Sequence, residues 1–176
     1  MPHAVIDTNV LLVANGSHED VSDSCMKACI ERLLTQQKSG VTVLDDQYAI
    51  LAEYQRKTHP NQPRGVGDTF LKWLLRNKAN PAHVSLVSIT ETEPNCYTEF
   101  PNDGLSKAFD PPDRKFVAVA NAHPDKPTIW QAADCKWLDW WPDLKGHGIE
   151  VEFLCPDDAC SFYAVKFPKK PLPKLP

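Results

Sequence analysis

Four acidic residues stand where carboxylates could do chemistry: Asp7, Glu53, Asp113 and Asp134. In AVIDTNVLL (4–12) an apolar run ends on Asp7, and a polar Thr8–Asn9 step follows before apolar residues resume. TIWQAAD (128–134) ends in the same way on Asp134. Asp113 heads DRKFVAVANAH and is followed at positions 116, 117 and 120 by Phe, Val and Ala, so it lies in line with an apolar helical stripe. Glu53 follows Ala49 and Ile50 on the flank of the apolar face of its segment. Carboxylates brought within about 5 Å of one another repel by several kcal/mol at a moderate effective dielectric. A fold tolerates this when protons or a divalent cation compensate, and hard, oxygen-seeking Mg²⁺ or Mn²⁺ is the natural partner. Such a cation activates water toward a phosphodiester. Singly, each acid has a plainer reading. Asp7 caps a helix or turn, and Asp113 is a first-turn acid behind the cap Asp110. Glu53 is a solvated helix residue, and Asp134 caps the CKWLDW turn.

The elements that must position these acids alternate along the chain. A strand is expected at 3–7, then the polar stretch NGSHEDVSDS. A helix over about 21–38 follows, capped by Ser22 or Asp23, with Met26, Ile30, Leu33 and Leu34 inward. VTVL (41–44) reads as a second strand, and Asp45 or Asp46 caps a helix to about Lys57. HPNQPRG is a loop. Asp68 reads as the cap of DTFLKWLLRNK, whose Phe70, Leu71, Leu74 and Leu75 face inward. HVSLVSI (83–89) is the third strand, and 90–112 a long excursion over the surface. A helix at 113–123 and strands at 128–134 and 149–155 complete the series. This pattern predicts an α/β domain over residues 1–155, with a parallel sheet covered on both faces. Residues 156–176 are a Pro/Lys-rich C-terminal tail, its FPKKPLPKLP end extended or disordered. In such sheets ligands bind beyond the carboxyl ends of the strands, where Asp7 and Asp134 are expected.

Composition sets outer bounds. A chain of 176 residues is long enough to bury a core in one domain. No apolar run approaches the roughly 20 residues of a membrane span, and no secretion signal opens the chain, so a cytoplasmic protein without membrane contact is expected. The 6 cysteines are accordingly expected as reduced thiols. The pairs Cys25/Cys29 and Cys155/Cys160 do not complete a zinc-ligand pattern. A net charge of −4 is not that of a protein that coats nucleic acid, although local gripping is compatible with it.

VIDTNVLL, the Glu53 helix, DRKFVAVA, the strand ending AAD and the closing GIEVEFLC together resemble the PIN-domain ribonucleases, the VapC-like bacterial toxins among them. The resemblance runs in order over residues 4–155. It implies a three-layer α/β/α fold with a central five-stranded parallel sheet, and a Mg²⁺- or Mn²⁺-dependent endoribonuclease. Asp7, Glu53, Asp113 and Asp134 match the family's catalytic and metal-holding acids, and Asn9 its polar residue beside the first acid. It further implies RNA as substrate (single-stranded DNA being an alternative), an antitoxin or other protein partner, and a homodimer. Lys136 stands where many members carry a further acid. With Arg114 and Asn9, Lys136 is a candidate for substrate contact. Trp137, Trp140 and Trp141 are either base-stacking residues or core. Two other readings stand beside this one. An inactive module on the same fold would serve binding or regulation. A phosphatase with a nucleophilic Asp7 would need an acid where Asn9 stands.

Overall fold

A computed structural model describes residues 2–101 and 104–176. Its centre is a five-stranded, all-parallel sheet of order β3-β2-β1-β6-β7. The strands are β1 (His3–Ile6), β2 (Val41–Asp45), β3 (Val84–Val87), β6 (Thr128–Gln131) and β7 (Val151–Phe153). β1, β2 and β6 are buried almost throughout, because helices cover the sheet. This is the expected α/β architecture, consistent with a PIN-like three-layer arrangement. No helix among the described residues is long and apolar enough to cross a membrane.

The chain turns from β1 directly into α1 (Thr8–Ala14), a helix not foreseen in the polar step after Asp7. α1 packs on α2 (Asp23–Ser39) and α4 (Val66–Asn77). The α1–α4 approach is close: a Cβ on Gly67 would lie 2.2 Å from the Leu11 carbonyl oxygen. α2 begins at its expected cap, Ser22, but turns a different face inward. Cys25, Cys29 and Leu33 are buried, Met26 and Ile30 only partly, and Leu34 is 52% exposed. Asp68 is not a cap but a buried first-turn residue of α4. It accepts from the His59 and Arg64 backbone N–H groups and from Asn15 Nδ2, gathering the 59–64 loop. Asp45 does cap α3 (Ala49–Lys57), accepting from the Ala49 and Ile50 N–H groups at 2.8 and 3.0 Å.

The 90–112 segment, of which 102 and 103 lie outside the described residues, is more anchored than a surface excursion. It forms a small hairpin, β4 (Glu91–Glu93) and β5 (Cys96–Tyr97), then α5 (Leu105–Ala108) and a 3-10 turn at Pro111–Asp113. Phe100, Leu105 and Phe109 insert into the core, which is why no surface period marks the stretch. The Phe109 ring lies 5.1 Å from Trp137 and 4.0 Å from Trp140 on α7 (Trp137–Gly146). Of the tryptophan cluster, Trp137 and Trp140 are therefore core. The partly buried Trp141 donates from Nε1 to the Lys174 carbonyl.

The tail also departs from expectation. Pro156–Lys166 forms a helix, α8, with Ala159 and Tyr163 buried, and only the end beyond it lacks regular structure. Cys25 and Cys155 are joined in a disulfide across 130 residues, against the expectation of reduced thiols throughout. Their pairing follows from the sheet order: the edge strand β7 delivers Cys155 to the start of α2, a proximity that no local spacing encodes.

Candidate metal centre

α6 (Arg114–Ala122) lies across β1, β2 and β6 and is buried on nearly every side over Lys115–Ala120. It brings Asp113, at its cap position, to the carboxyl edge of the sheet. β1 ends on Ile6, and the Asp7 backbone N–H still donates to the Trp130 carbonyl at 3.0 Å. Asp7 thus sits at the junction of β1 and β6, where the strand order switches direction. Its two readings coexist: Asp7 Oδ1 accepts from the Asn9 N–H at 2.8 Å as the cap of α1, while the side chain remains 5% exposed at the strand end.

Asp134 does not end a strand, as expected from TIWQAAD. β6 stops at Gln131; Ala132 and Ala133 bend away, and the Ala133 N–H donates to Asn9 Oδ1 at 3.0 Å. Asn9 therefore fastens the loop that carries Asp134 to the start of α1. Glu53 is buried on α3, where Oε2 accepts from Thr8 Oγ1 and Oε1 accepts from Lys115 Nζ at 3.0 Å.

The electrostatics show that the acids sense one another. Burial, chiefly, pushes the Asp7 carboxyl up to about 7; the Asn9 N–H opposes this, and the Asp134 and Glu53 charges add to it. The nearby Gln131 carboxamide also favours the charged form, although neither of its polar atoms makes a hydrogen bond of standard geometry. Burial again leads for Asp113, raised to about 8, with the charges of Asp7, Asp134, Asp110 and Glu53 contributing. Asp134 is raised by burial and partly relieved by the Lys136 N–H and ammonium. Among the described residues, no three of these acids offer oxygens within 4.8 Å of one another. The result is a loose group of acids with excess negative charge rather than a preassembled ligand set. Its donor chemistry fits a hard divalent cation such as Mg²⁺ or Mn²⁺.

Two of the candidate substrate-contact residues have internal partners. Lys136 Nζ pairs with Asp110 Oδ2. Arg114 donates to the Ser106 carbonyl at 2.7 Å and, more weakly, to the Asn95 carbonyl and Cys96 Sγ, clipping the hairpin and α5 to the head of α6. The residue missed in the sequence is Lys115. It is 5% exposed and bridges Glu53 to the Pro112 carbonyl, 2.5 Å away. A signal was present: a lysine opening the run FVAVA, apolar all round, has no solvent to reach and must find a buried partner. Compared with protein-family models, curated proteins and solved structures, the chain matches none.

Proposed function

We propose that the chain is a divalent-cation-dependent nuclease acting on RNA, in line with its resemblance to the PIN-domain ribonucleases. The observation that carries the reading is that Asp7, Glu53, Asp113 and Asp134, from four separate parts of the chain, lie near enough for their charges to help raise the Asp7 and Asp113 carboxyls. Two of these carboxyls are raised to about 7 and about 8. Asp7, Asp113 and Asp134 would hold Mg²⁺ or Mn²⁺, whereas Glu53, expected as a further ligand, has both oxygens engaged by Thr8 and Lys115 and would contribute charge. The bound cation would supply charge stabilisation at the phosphate and activation of water.

This chain's own residues set the stage for that chemistry. Asn9 orients Asp7 through its backbone N–H and ties down the Asp134 loop through its side chain. Thr8 and Lys115 hold Glu53 from two sides, so that its carboxylate cannot swing toward the other acids unopposed. Lys136 and Asp110 form a half-exposed pair at the rim, from which Lys136 can release toward a phosphate.

A second reading, a non-catalytic binding or regulatory module, has one observation in its favour. Lys115 is an internal cation that already offsets part of the acidic charge. End-labelled single-stranded RNA incubated with the full chain and Mn²⁺, Mg²⁺ or EDTA separates the two. Metal-dependent cleavage lost in Asp7→Asn supports the nuclease. A folded chain that neither cleaves with any metal nor binds Mn²⁺ in calorimetry supports the module.

A further inference from the structure

At the β7 end of the same carboxyl edge, where the Cys155 N–H donates to the Ala132 carbonyl at 3.1 Å, a third cysteine lies beside the Cys25–Cys155 pair. Cys25 and Cys29 are one turn apart on α2, and Cys155 caps α8. The three Sγ atoms lie within 4.8 Å of one another, and Cys29 Sγ is 3.9 Å from Cys155 Sγ. All are buried, at 2%, 0% and 4% exposure. We propose that, once the Cys25–Cys155 bond is reduced, Cys25, Cys29 and Cys155 together hold a thiophilic divalent cation of the Zn²⁺ class.

The geometry and the charge balance both favour this. Sulfur atoms about 2.3 Å from a tetrahedral zinc are separated by about 3.8 Å, close to the Cys29–Cys155 spacing. Three thiolates around one divalent cation leave a single negative charge. Two helix N-termini face it, because Cys25 lies in the first turn of α2 and Cys155 at the cap of α8. Asp158 clamps those termini together, accepting from the Ser22 N–H at 2.7 Å and from Ser22 Oγ at 2.8 Å. The Arg32 charge favours the Cys29 thiolate, and the Asp158 charge opposes it. Without a cation, burial pushes the Cys29 thiol up to about 12 and leaves it a protonated bystander. A structural disulfide needs only two cysteines; the third is what a thiolate site requires. The balance is simple. A dithiol reductant delivers two electrons and two protons to the Cys25–Cys155 bond and becomes a disulfide itself. The cation then displaces three thiol protons.

The test uses the full chain, reduced and freed of reductant without air, titrated with Co²⁺ as a spectroscopic stand-in for Zn²⁺. The expected result is thiolate-to-cobalt charge-transfer absorption saturating at one ion per chain, bleached by Zn²⁺ and lost in Cys29→Ser. Absorption that is absent, or unchanged in Cys29→Ser, overturns the site. Should that variant not fold, X-ray absorption of the zinc-loaded wild-type chain decides. Three sulfur neighbours at about 2.3 Å support the proposal, and a shell of oxygen and nitrogen alone overturns it. The acidic edge cannot mimic the signal, since carboxylates give no thiolate charge transfer.

Discussion

Lys115 Nζ lies 3.0 Å from Glu53 Oε1, and both side chains are 6% exposed. The pair links α6 to α3 beneath the acidic edge. Removing one partner leaves the other charged and buried, at a cost of about 3–5 kcal/mol, whereas removing both costs much less. In urea unfolding, Lys115→Met and Glu53→Gln are each expected to lower stability by amounts in that range, and the double variant by clearly less than their sum. Additive losses would show that the pair is not the stabilising link.

The raised carboxyls make the metal-free protein sensitive to pH. Asp7 moves from 3.8 to about 7 and Asp113 from 3.8 to about 8 on folding. Between the unfolded and folded values the native chain binds more protons than the unfolded one, so stability falls as pH rises through that window. In EDTA, the urea midpoint is expected to be higher at pH 5 than at pH 8. Saturating Mg²⁺ is expected to raise the pH 8 midpoint and flatten the difference, because the cation replaces the lost protons. A midpoint that climbs from pH 5 to pH 8 in EDTA would contradict the proposed repulsion.

Asp7→Asn separates chemistry from architecture. Asparagine caps helices as well as aspartate, so α1 is expected to survive. The substitution also removes one charge from a repulsive cluster. Stability at pH 8 in EDTA is expected to be unchanged or higher, while metal-dependent RNA cleavage falls by about 100-fold or more. Equal loss of activity and fold, followed by circular dichroism, would assign Asp7 a purely structural role.

Arg114 is expected to behave as a clip. Arg114→Met removes the bonds to Ser106, Asn95 and Cys96, and a loss of about 1–3 kcal/mol is expected. Limited proteolysis is expected to shift to the β4–β5 hairpin. A variant of wild-type stability and protease resistance but weakened RNA binding would instead return Arg114 to the substrate.

Much of the molecule was legible in the chain because periodicity and strand-end chemistry are local. The apolar runs expected as strands at 3–7, 41–44 and 128–134 each hold a buried parallel strand, at 3–6, 41–45 and 128–131, and the Asp7 and Asp113 positions follow from where apolar stripes begin and end. α1 is hidden in the sequence because its cap, Asp7, directly continues the apolar run of β1. The inward face of α2 departs from the apolar stripe because Cys25 and Cys29 take the buried positions and leave Met26 half-buried and Leu34 exposed. The segment around Phe100 and Phe109 showed no period because it inserts single aromatic residues between elements rather than lying along one.

Local pattern alone carries the alternation of strands and helices, and it narrows the caps to Ser22 or Asp23 and to Asp45 or Asp46. Only the tertiary structure decided what those residues meet. Lys115 reaches Glu53 from 62 positions away, Asn9 takes the Ala133 N–H, and Cys155 arrives beside Cys25 and Cys29. The physical reason is that strand order brings these groups together. Buried charges and thiols then take whatever partner the packed chain leaves within reach, at distances that sequence spacing does not carry.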